Sequence, residues 1–473
     1  MLTRYWGKRP AKARAFVASA ARAGIVTAFV GVTIGVTIGC GSYATEATAP
    51  ANANVASIEL PTLSTALLAG DTLHLAAVAR DAQGRVLSGV DFIWSSSDSS
   101  LVEVESEGRL TSRGHGSVLV SATAGGVRAT TTVQTRLTAE ERRFAYAWVH
   151  DPSESATYFP WSSYQHNETG GRVLVAHRTT GDYTVTFERM AKVDSAFRET
   201  VLVTPYGAAG ERCHLNGWDN AANGRDLDVA VSCYTFSGAR TDARFSVLVV
   251  GSRSLPSRMA FTASGDAASA YAAAATHSFN SFGDRIVISR STPGSYLVRM
   301  NGTPDDTPEN YFVSTVGGAS DLCKVSSWSH GVWASVICYA PNGMLTDSRF
   351  SLLMVASGRP GKRFGFAWAD APSSPLGESY APNMRYQRTS SGATVRITHV
   401  ATGVFRVSFP GLARVGNRSE TVQVSPYGGG LYTCQVEGWT NRADGASLDA
   451  TVRCWNRGNG RAADTYFTIL VLE

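Results

Sequence analysis

The segment Cys213-His-Leu-Asn-Gly-Trp218 decides the organisation of this chain, because it returns twice. It recurs as Cys323-Lys-Val-Ser-Ser-Trp328 and as Cys434-Gln-Val-Glu-Gly-Trp439, and in each copy the tryptophan follows the cysteine by five residues. The first cysteines of the copies are 110 and 111 residues apart. A unit of that length can bury a core of its own, so the spacing predicts one type of domain used three times.

The remainder of each copy predicts the same series of β-strands. Segments such as Gly181-Asp-Tyr-Thr-Val-Thr-Phe187 alternate polar and apolar residues after a glycine turn, which is typical of a strand. The last strand of the first copy, Arg244-Phe-Ser-Val-Leu-Val-Val250, also has a counterpart in the other two. We expect three all-β repeats, with a sandwich favoured over a barrel. Their predicted bounds are residues 144–251, 259–357 and 364–473.

Each repeat contains a second cysteine, which follows the first by 20, 15 and 20 residues. A zinc centre would need four ligands with closely paired spacing, and no copy contains Cys-x-x-Cys. Matched pairs in an exported chain therefore predict disulfides, each stabilising the fold by about 3 kcal/mol through restriction of the unfolded chain. The expected pairs are Cys213–Cys233, Cys323–Cys338 and Cys434–Cys454.

The N-terminal segment predicts export and a lipid anchor. Residues 1–40 contain six Lys or Arg and no acidic residue, and an apolar run in this segment ends at Cys40. This resembles a bacterial lipoprotein signal, although Thr37 stands where that family usually has an aliphatic residue. Cys40 is also the one cysteine left over from the three pairs. We expect lipidation of Cys40 and a flexible tether over residues 41–54, the alternatives being a secretory signal cut elsewhere or an uncleaved anchor.

The net charge gives no indication of a nucleic-acid partner. The whole chain has a formal charge of +5, but the residues after position 40 include 37 basic and 38 acidic side chains. A protein that binds nucleic acid through its phosphates normally has a clear excess of positive charge. We therefore expect no nucleic-acid partner.

Residues 55–134 predict a separate β-sandwich of short strands joined by turns. The order Gly70-Asp-Thr, Trp94-Ser-Ser-Ser-Asp98, Gly108-Arg-Leu-Thr111 and Gly116-Ser-Val-Leu-Val-Ser-Ala122 resembles the bacterial immunoglobulin-like domain, group 2 (BIG2). That resemblance implies an immunoglobulin-like spacer or adhesive module without catalytic residues. From the residues themselves, Trp94 is expected in the core and the glycines in turns.

Repeats 1 and 3 share aromatic residues that repeat 2 lacks. Repeat 2 has Ala263 in place of the tryptophan and His277 in place of the second tyrosine. Packing is the favoured interpretation of the shared set, with the N-terminal strand of repeat 2 docked differently. The alternative is a sugar-binding surface that repeat 2 has lost, since a core residue should be needed in every copy and flat rings stack against a pyranose. The set consists of Trp148, Tyr158 and Tyr164 in repeat 1, and of Trp368, Tyr380 and Tyr386 in repeat 3.

The sequence contains no motif of a catalytic or metal site. It lacks Gly-x-Ser-x-Gly, His-Glu-x-x-His and a phosphate-binding loop, and no histidine recurs in all three repeats. One aspartate precedes the last strand of each repeat, and such a residue usually caps its own turn rather than binding calcium. These aspartates are Asp242, Asp347 and Asp464. We expect no enzyme activity, no cofactor and no metal.

Together these features predict an all-β lipoprotein of the cell envelope, held in the outer membrane if the cell has one. The immunoglobulin-like spacer would present three β-domains, each crosslinked by one disulfide, for adhesion or carbohydrate binding. The expected ligand is a glycan or a surface protein. The alternatives are a structural envelope protein without a specific ligand and an accessory subunit of an enzyme.

Overall fold

The computed structural model confirms the prediction of an all-β fold. Among the described residues there are 36 strands, short 3-10 helices at Ser162–Tyr164 and Met384–Tyr386, and no α-helix. The predicted signal segment with Cys40 lies outside the described residues, as does the predicted tether apart from Asn54. The structure describes residues 54–68, 71–99, 101–112, 116–136, 143–192, 198–252, 258–265, 271–272, 277–301, 307–317, 320–356, 362–414, 416, 419–442 and 445–473.

The strands before residue 137 form three sheets, in the orders β1-β4, β3-β7-β6 and β2-β9-β8-β5. Trp94 packs against their apolar core, which includes Leu75, Leu110 and Val120. A Cβ atom on Gly108 would lie 2.6 Å from the Trp94 ring, so only glycine permits this approach. The strands are β1 Ser57–Glu59, β2 Leu67–Leu68, β3 Thr72–His74, β4 Val78–Arg80, β5 Ile93–Ser96, β6 Val102–Val104, β7 Arg109–Ser112, β8 Gly116–Ala124 and β9 Val127–Arg136.

The three repeats contain corresponding strands. Those of repeat 1 are β10 Phe144–Val149, β11 Gln165–Asn167, β12 Val173–Thr179, β13 Asp182–Phe187, β14 Glu199–Tyr206, β15 Arg212–Asn220, β16 Leu227–Tyr234 and β17 Arg244–Gly251. Those of repeat 2 are β18 Met259–Ala263, β19 Tyr271–Ala272, β20 Ser278–Asn280, β21 Val287–Thr292, β22 Ser295–Arg299, β23 Asn310–Val316, β24 Leu322–Ser329, β25 Trp333–Tyr339 and β26 Arg349–Val355. Those of repeat 3 are β27 Phe364–Trp368, β28 Ser379–Tyr380, β29 Gln387–Thr389, β30 Arg396–Ala401, β31 Val404–Pro410, β32 Thr421–Pro426, β33 Tyr432–Asn441, β34 Ser447–Asn456, β35 Arg461–Ala462 and β36 Phe467–Leu472.

Each repeat is a sandwich of two antiparallel sheets. In repeat 1 the inner sheet has the order β11-β10-β17-β14 and the outer sheet the order β12-β13-β16-β15. The inner sheets of repeats 2 and 3 are β20-β18-β26-β23 and β29-β27-β36-β32, and the outer sheets are β19-β21-β22-β25-β24 and β28-β30-β31-β34-β33. The disulfides are the pairs expected from the sequence, and each joins directly opposite residues of two outer-sheet strands, with Cα–Cα distances of 4.0, 4.0 and 4.1 Å.

The inner sheets are buried on both faces. One face packs on the outer sheet of its own repeat, as Val247 and Val249 of β17 do. The other face, with Leu248 and Val250, joins an apolar core shared by all three repeats. This explains why strands such as β17 are continuous apolar runs instead of alternating ones. The shared core consists of Phe144, Tyr146, Leu202, Leu248, Val250, Met259, Phe261, Phe312, Leu353, Val355, Phe364, Phe366, Leu470 and Leu472.

Around this core the three repeats close into a ring. Each outer sheet meets the inner sheet of the next repeat at one parallel residue pair, two residues after the first disulfide cysteine. A backbone N–H in the next repeat donates to the carbonyl of the first member of the pair, at 2.7, 2.9 and 2.8 Å. Because the third contact returns to repeat 1, the arrangement has approximate threefold symmetry. The pairs are Leu215 with Val316, Val325 with Tyr427, and Val436 with Tyr206.

Three buried hydroxyl groups, here called the axis hydroxyls, connect the repeats near the threefold axis. Ser314 Oγ accepts from the N–H of Val203 at 2.9 Å and lies 3.2 Å from the carbonyl oxygen of the same residue, to which it donates. The other two hydroxyls make the same pair of contacts with a valine of the preceding repeat in the ring. They therefore satisfy inner-sheet backbone groups that water cannot reach. The axis hydroxyls belong to Thr204, Ser314 and Ser425.

Replacement of Ser314 by alanine should lower the free energy of unfolding of the ring by about 1–3 kcal/mol, because both backbone groups of Val203 would lose their buried partner. The measurement is chemical denaturation monitored by tryptophan fluorescence. Ser291→Ala is the matched control, since that exposed hydroxyl bonds only within a hairpin of the same repeat. Equal stability of the two variants would show that the axis hydroxyls do not hold the ring together.

Candidate functional site

The candidate aromatic residues of repeat 1 lie at its junction with repeat 3. The ring centroid of Trp148 is 5.1 Å from that of Tyr164, 4.8 Å from that of Tyr206 and 6.1 Å from that of Trp439 in repeat 3. Trp148 and Tyr164 are half-buried, and both pack against the core of repeat 3. The four rings are called the 1–3 aromatic cluster below.

The junction between repeats 3 and 2 has the same construction. The ring centroid of Trp368 is 5.0 Å from that of Tyr386, 5.1 Å from that of Tyr427 and 5.4 Å from that of Trp328 in repeat 2. His330 of repeat 2 stacks on Tyr386 at 5.0 Å. A tryptophan recurs in the outer sheet of every repeat. In both junctions this tryptophan of one repeat packs against a tryptophan and two tyrosines of the next.

The third junction, between repeats 2 and 1, has smaller side chains in these positions. Trp218 of repeat 1 faces His277 at a centroid distance of 6.2 Å, and Ala263 and Val316 stand where the other junctions have tryptophan and tyrosine. Burial lowers the pKa of the His277 imidazole, which favours its neutral form. The aromatic residues missing from repeat 2 therefore belong to one junction of the ring.

Tyr158 and Tyr380, the other two candidates, pack at the edge of the core of their own repeat. The Tyr158 hydroxyl accepts from the N–H of Asp151 at 3.2 Å, and the Tyr380 hydroxyl accepts from the N–H of Ala371 at 3.3 Å. Burial raises the pKa of Tyr158 to about 12, so its phenol stays neutral. Both tyrosines hold the loop that precedes them.

The burial of the indole nitrogens limits what the candidate tryptophans can offer a ligand. The Nε1 atoms of Trp148 and Trp368 are buried and have no hydrogen-bond partner among the described residues. Trp439 differs, since its Nε1 donates to Glu420 Oε1 at 3.2 Å. Rings of this kind, covered by another repeat, do not form the flat exposed platform on which a sugar would stack.

Trp161, which borders the 1–3 aromatic cluster, and Phe159, two residues before it, are exposed aromatic residues that the sequence interpretation does not single out. Phe159 is 51% exposed and Trp161 is 57% exposed. Trp161 contacts His150 at a centroid distance of 4.5 Å and Trp148 at 5.7 Å, and the guanidinium of Arg172 lies 5.4 Å from the Phe159 ring centroid. Phe159 and Trp161 are called the exposed corner below.

Repeat 3 shows that the fold does not require these two aromatic residues. Ala381 and Asn383 occupy the corresponding positions. The Asn383 side chain accepts from the N–H of Arg385 at 3.0 Å and so caps the short 3-10 helix, whereas Trp161 begins the equivalent helix without a side-chain cap. The aligned sequences could have indicated this difference, since asparagine suits such a position and tryptophan does not.

A buried glutamate, also missed at the sequence level, stands at or just before an inner-sheet strand of every repeat. Glu199 pairs with Arg143 and with Lys192, the latter at 3.3 Å, and Glu420 accepts from Arg414 at 2.5 Å. Glu309 accepts from the Tyr311 hydroxyl at 3.1 Å and from a backbone N–H at 3.0 Å. Buried carboxylates can serve in catalysis, but these are all occupied by donors of the surrounding structure.

The sequence suggests that the recurring aspartates cap their own turns, but the structure shows a different role. Each accepts instead from the N–H of a glycine in a distant hairpin, at 2.7, 2.8 and 2.6 Å. The pKa of the Asp347 carboxyl falls to about 2, chiefly because Arg290 donates to it. The pairs are Asp242 with Gly181, Asp347 with Gly294, and Asp464 with Gly403.

The described residues contain neither a metal-binding cluster nor a membrane-spanning helix. No group of three or more His, Cys, Asp or Glu side chains there is arranged to hold a metal ion. No helix in the described part of the chain is long and apolar enough to cross a membrane.

Comparisons with known proteins show only weak structural likeness. No protein-family model matches the sequence, and no curated protein is significantly similar to it. Domains 4 and 5 of the S-layer protein SbsC match with a TM-score of 0.17 and 15% identity, over 42% of this chain and 96% of theirs. A longer SbsC structure, residues 31–844, matches with a TM-score of 0.17 and 15% identity over 60% of this chain, and domains 1–6 match with 0.17 and 13% over 61%. The matches span 36% and 37% of those two chains, and TM-scores this low support no argument about function.

Replacement of Trp148 by alanine should lower the free energy of unfolding by about 3 kcal/mol, because it removes a half-buried ring from the 1–3 aromatic cluster. Trp161→Ala is the control, since that ring is mostly exposed and its loss should change stability little. Both variants can be compared by thermal and chemical denaturation. If Trp148→Ala were as stable as the wild type, the ring would not contribute to the junction.

Proposed function

We propose that this protein is exported to the cell surface and that its three repeats act together as one rigid binding head. The exposed corner of repeat 1 is the proposed docking point for a carbohydrate. The observation that carries this proposal is the exposure of Phe159 and Trp161 at positions where repeat 3 has Ala381 and Asn383. Rings that are more than half exposed contribute less to folding stability than buried ones do.

The surroundings of the exposed corner suit a sugar ligand. Trp161 rests on His150 and Trp148, so part of its ring is fixed while the rest faces solvent. Arg172 adds hydrogen-bond donors beside Phe159, and its side chain is held by Glu188 at 2.5 Å. An exposed aromatic ring beside polar groups of fixed position suits a pyranose, which has apolar faces and polar edges. Since the rings are already placed, little side-chain entropy is lost on binding.

The arrangement supports one principal binding site in the head. Corresponding residues of repeat 3 are small or polar, and the described residues of repeat 2 offer no exposed pair of aromatic rings at this position. The ring closure fixes the three repeats relative to each other, so they cannot act as three flexibly linked modules. The proposal is therefore a single oriented contact rather than avidity among repeats.

The remaining parts of the proposal concern how the head is presented. The strands before residue 137 would act as a BIG2-like spacer, and a lipid on Cys40 would anchor the protein in the cell envelope. The sequence features of residues 1–40 support the anchor, and the order of motifs in residues 55–134 supports the spacer. A structural envelope protein without a specific ligand is the competing function, and the binding experiment below separates the two.

The double variant Phe159→Ala/Trp161→Asn should lose binding on a glycan array while its thermal stability stays close to that of the wild type. These substitutions give repeat 1 the residues that repeat 3 already tolerates. Met384→Ala is the control, because Met384 is 66% exposed in the equivalent short helix of repeat 3. Wild-type protein that binds no glycan, or a double variant that binds as well as the wild type, would contradict the proposed site.

Cys40→Ala should abolish incorporation of a labelled fatty acid when the full chain is expressed in a bacterial host, and should move the protein from the membrane fraction to the soluble fraction. Cys40 is the cysteine that the three disulfides leave unpaired. Labelling that persists in the Cys40→Ala variant would exclude this anchor.

A further inference from the structure

A small cavity lies on the threefold axis, beside the axis hydroxyls. Its volume is about 40 Å³, roughly three times what one water molecule needs. The first cysteine of each disulfide and the residue before it line the cavity, so all three repeats contribute equivalent positions. The residues before these cysteines are Arg212, Leu322 and Thr433.

The Arg212 side chain breaks the symmetry of this cavity. It is 2% exposed, and none of its three guanidinium nitrogens has a hydrogen-bond partner among the described residues. The equivalent residues, Leu322 and Thr433, carry no charge. Since repeats 2 and 3 fill this position without a cation, closure of the ring does not depend on an arginine here.

Other charged groups lie near Arg212. The guanidinium nitrogens of Arg457 in repeat 3 are also buried and without a partner among the described residues. Lys324 of repeat 2 is fully buried, and its Nζ donates to the carbonyl of Gly429 at 3.1 Å. Asp321 is the acidic side chain in this group, but neither guanidinium hydrogen-bonds to it. Positive charge from three repeats is thus in excess.

This arrangement is unfavourable without a further partner. Burial lowers the pKa of Arg212 to about 9 and that of Arg457 to about 10, and repulsion from Arg457 contributes to the lower pKa of Arg212. Burial also lowers the pKa of Lys324 to about 7. A buried cation without hydrogen-bond partners is costly, whereas one that is paired with an anion and fully hydrogen-bonded is not.

We propose that the unpartnered guanidinium of Arg212, which lines the cavity on the threefold axis, binds a small oxyanion there, with the unpartnered guanidinium of Arg457 as a second donor. The ligand class is a phosphate, a sulfate or the carboxylate of an acidic sugar. The planar guanidinium group of arginine binds each of these groups through two parallel hydrogen bonds. The cavity admits such a group but is too small for a whole sugar ring, so a larger ligand would insert only its acidic end. An anion that both arginines hold connects repeats 1 and 3.

The test measures the melting temperature of the disulfide-intact protein in inorganic phosphate and in sulfate, against chloride of equal ionic strength. Wild-type protein should melt several degrees higher in at least one oxyanion, with saturation as its concentration rises. Glucuronate and N-acetylneuraminate form a separate arm. Stabilisation by these sugars alone would assign the site to an acidic glycan, and stabilisation by phosphate or sulfate would assign it to an inorganic ion.

Arg212→Leu, which introduces the residue of repeat 2, should lose at least tenfold in oxyanion affinity and should be no less stable than the wild type in chloride. Arg457→Met provides a second variant if the first does not fold. The control is Arg406→Leu, because Arg406 is an exposed arginine of an outer-sheet strand. The exposed-corner variant Phe159→Ala/Trp161→Asn should keep the oxyanion response, so failure of the proposed glycan site would not be mistaken for failure of this one.

Two results would overturn the inference. One is a melting temperature that follows ionic strength alone, with no difference between chloride and the oxyanions. The other is a crystal structure of the protein soaked in selenate that shows only water, without anomalous signal, between Arg212 and Arg457.

Discussion

The burial of both faces of the inner sheets is the constraint on which the rest of this structure depends. Strands β17, β26 and β36 are buried along nearly their whole length. A single repeat would expose half of these apolar side chains, including Leu248 and Val250, to water. Removal of that surface from water supplies the main driving force for assembly of the three repeats. Each inner sheet therefore needs the other two, and the ring is the smallest arrangement in this chain that covers all three.

Backbone contacts explain why the ring tolerates different side chains at its junctions. The three parallel pairs join the same backbone positions, although the residues at one of these positions are Tyr206, Val316 and Tyr427. The hydrogen bonds that close the ring come from backbone groups and the axis hydroxyls, so they do not depend on whether a junction is aromatic. Opposite the recurring outer-sheet tryptophan, two junctions consequently have a tryptophan and two tyrosines. The third junction has an alanine, a histidine and a valine at the equivalent positions.

Much of the local structure could be predicted from the sequence. Periodic alternation and glycine turns indicated the strands, and the spacing of the cysteines indicated the three disulfides. The closure of the three repeats into a ring could not be derived in this way, because contacts between repeats leave only an indirect pattern in the sequence. That pattern is present in continuous apolar runs such as Val247 to Val250, which indicate a strand buried on both faces. On the sequence alone, these runs predict only the final strand of each repeat.

The candidate site shows a more general limit of reasoning from repeats. For Trp148 and Trp368 packing is favoured over a sugar-binding surface, and only the sugar-binding hypothesis depends on the premise that a core residue is needed in every copy. In a ring each junction combines two different repeats, so a packing residue can be absent from one copy when its partner surface differs as well. The premise held for the strand positions and did not hold for the junctions.

A better criterion for a functional residue has two parts. The residue differs from its equivalents in the other repeats, and it leaves an apolar surface uncovered or a buried charge unpaired. The loss of tryptophan at Ala263 is a break in symmetry, but the small residues of that junction still pack together. Trp161 is different, because an exposed ring replaces a residue that would cap a helix. Arg212 is different for the opposite reason, because a buried charge replaces a leucine or a threonine and finds no partner. One residue exposes apolar surface that could be covered, and the other buries a charge that could be neutralised. A ligand would relieve each of these costs, whereas nothing at the third junction requires one.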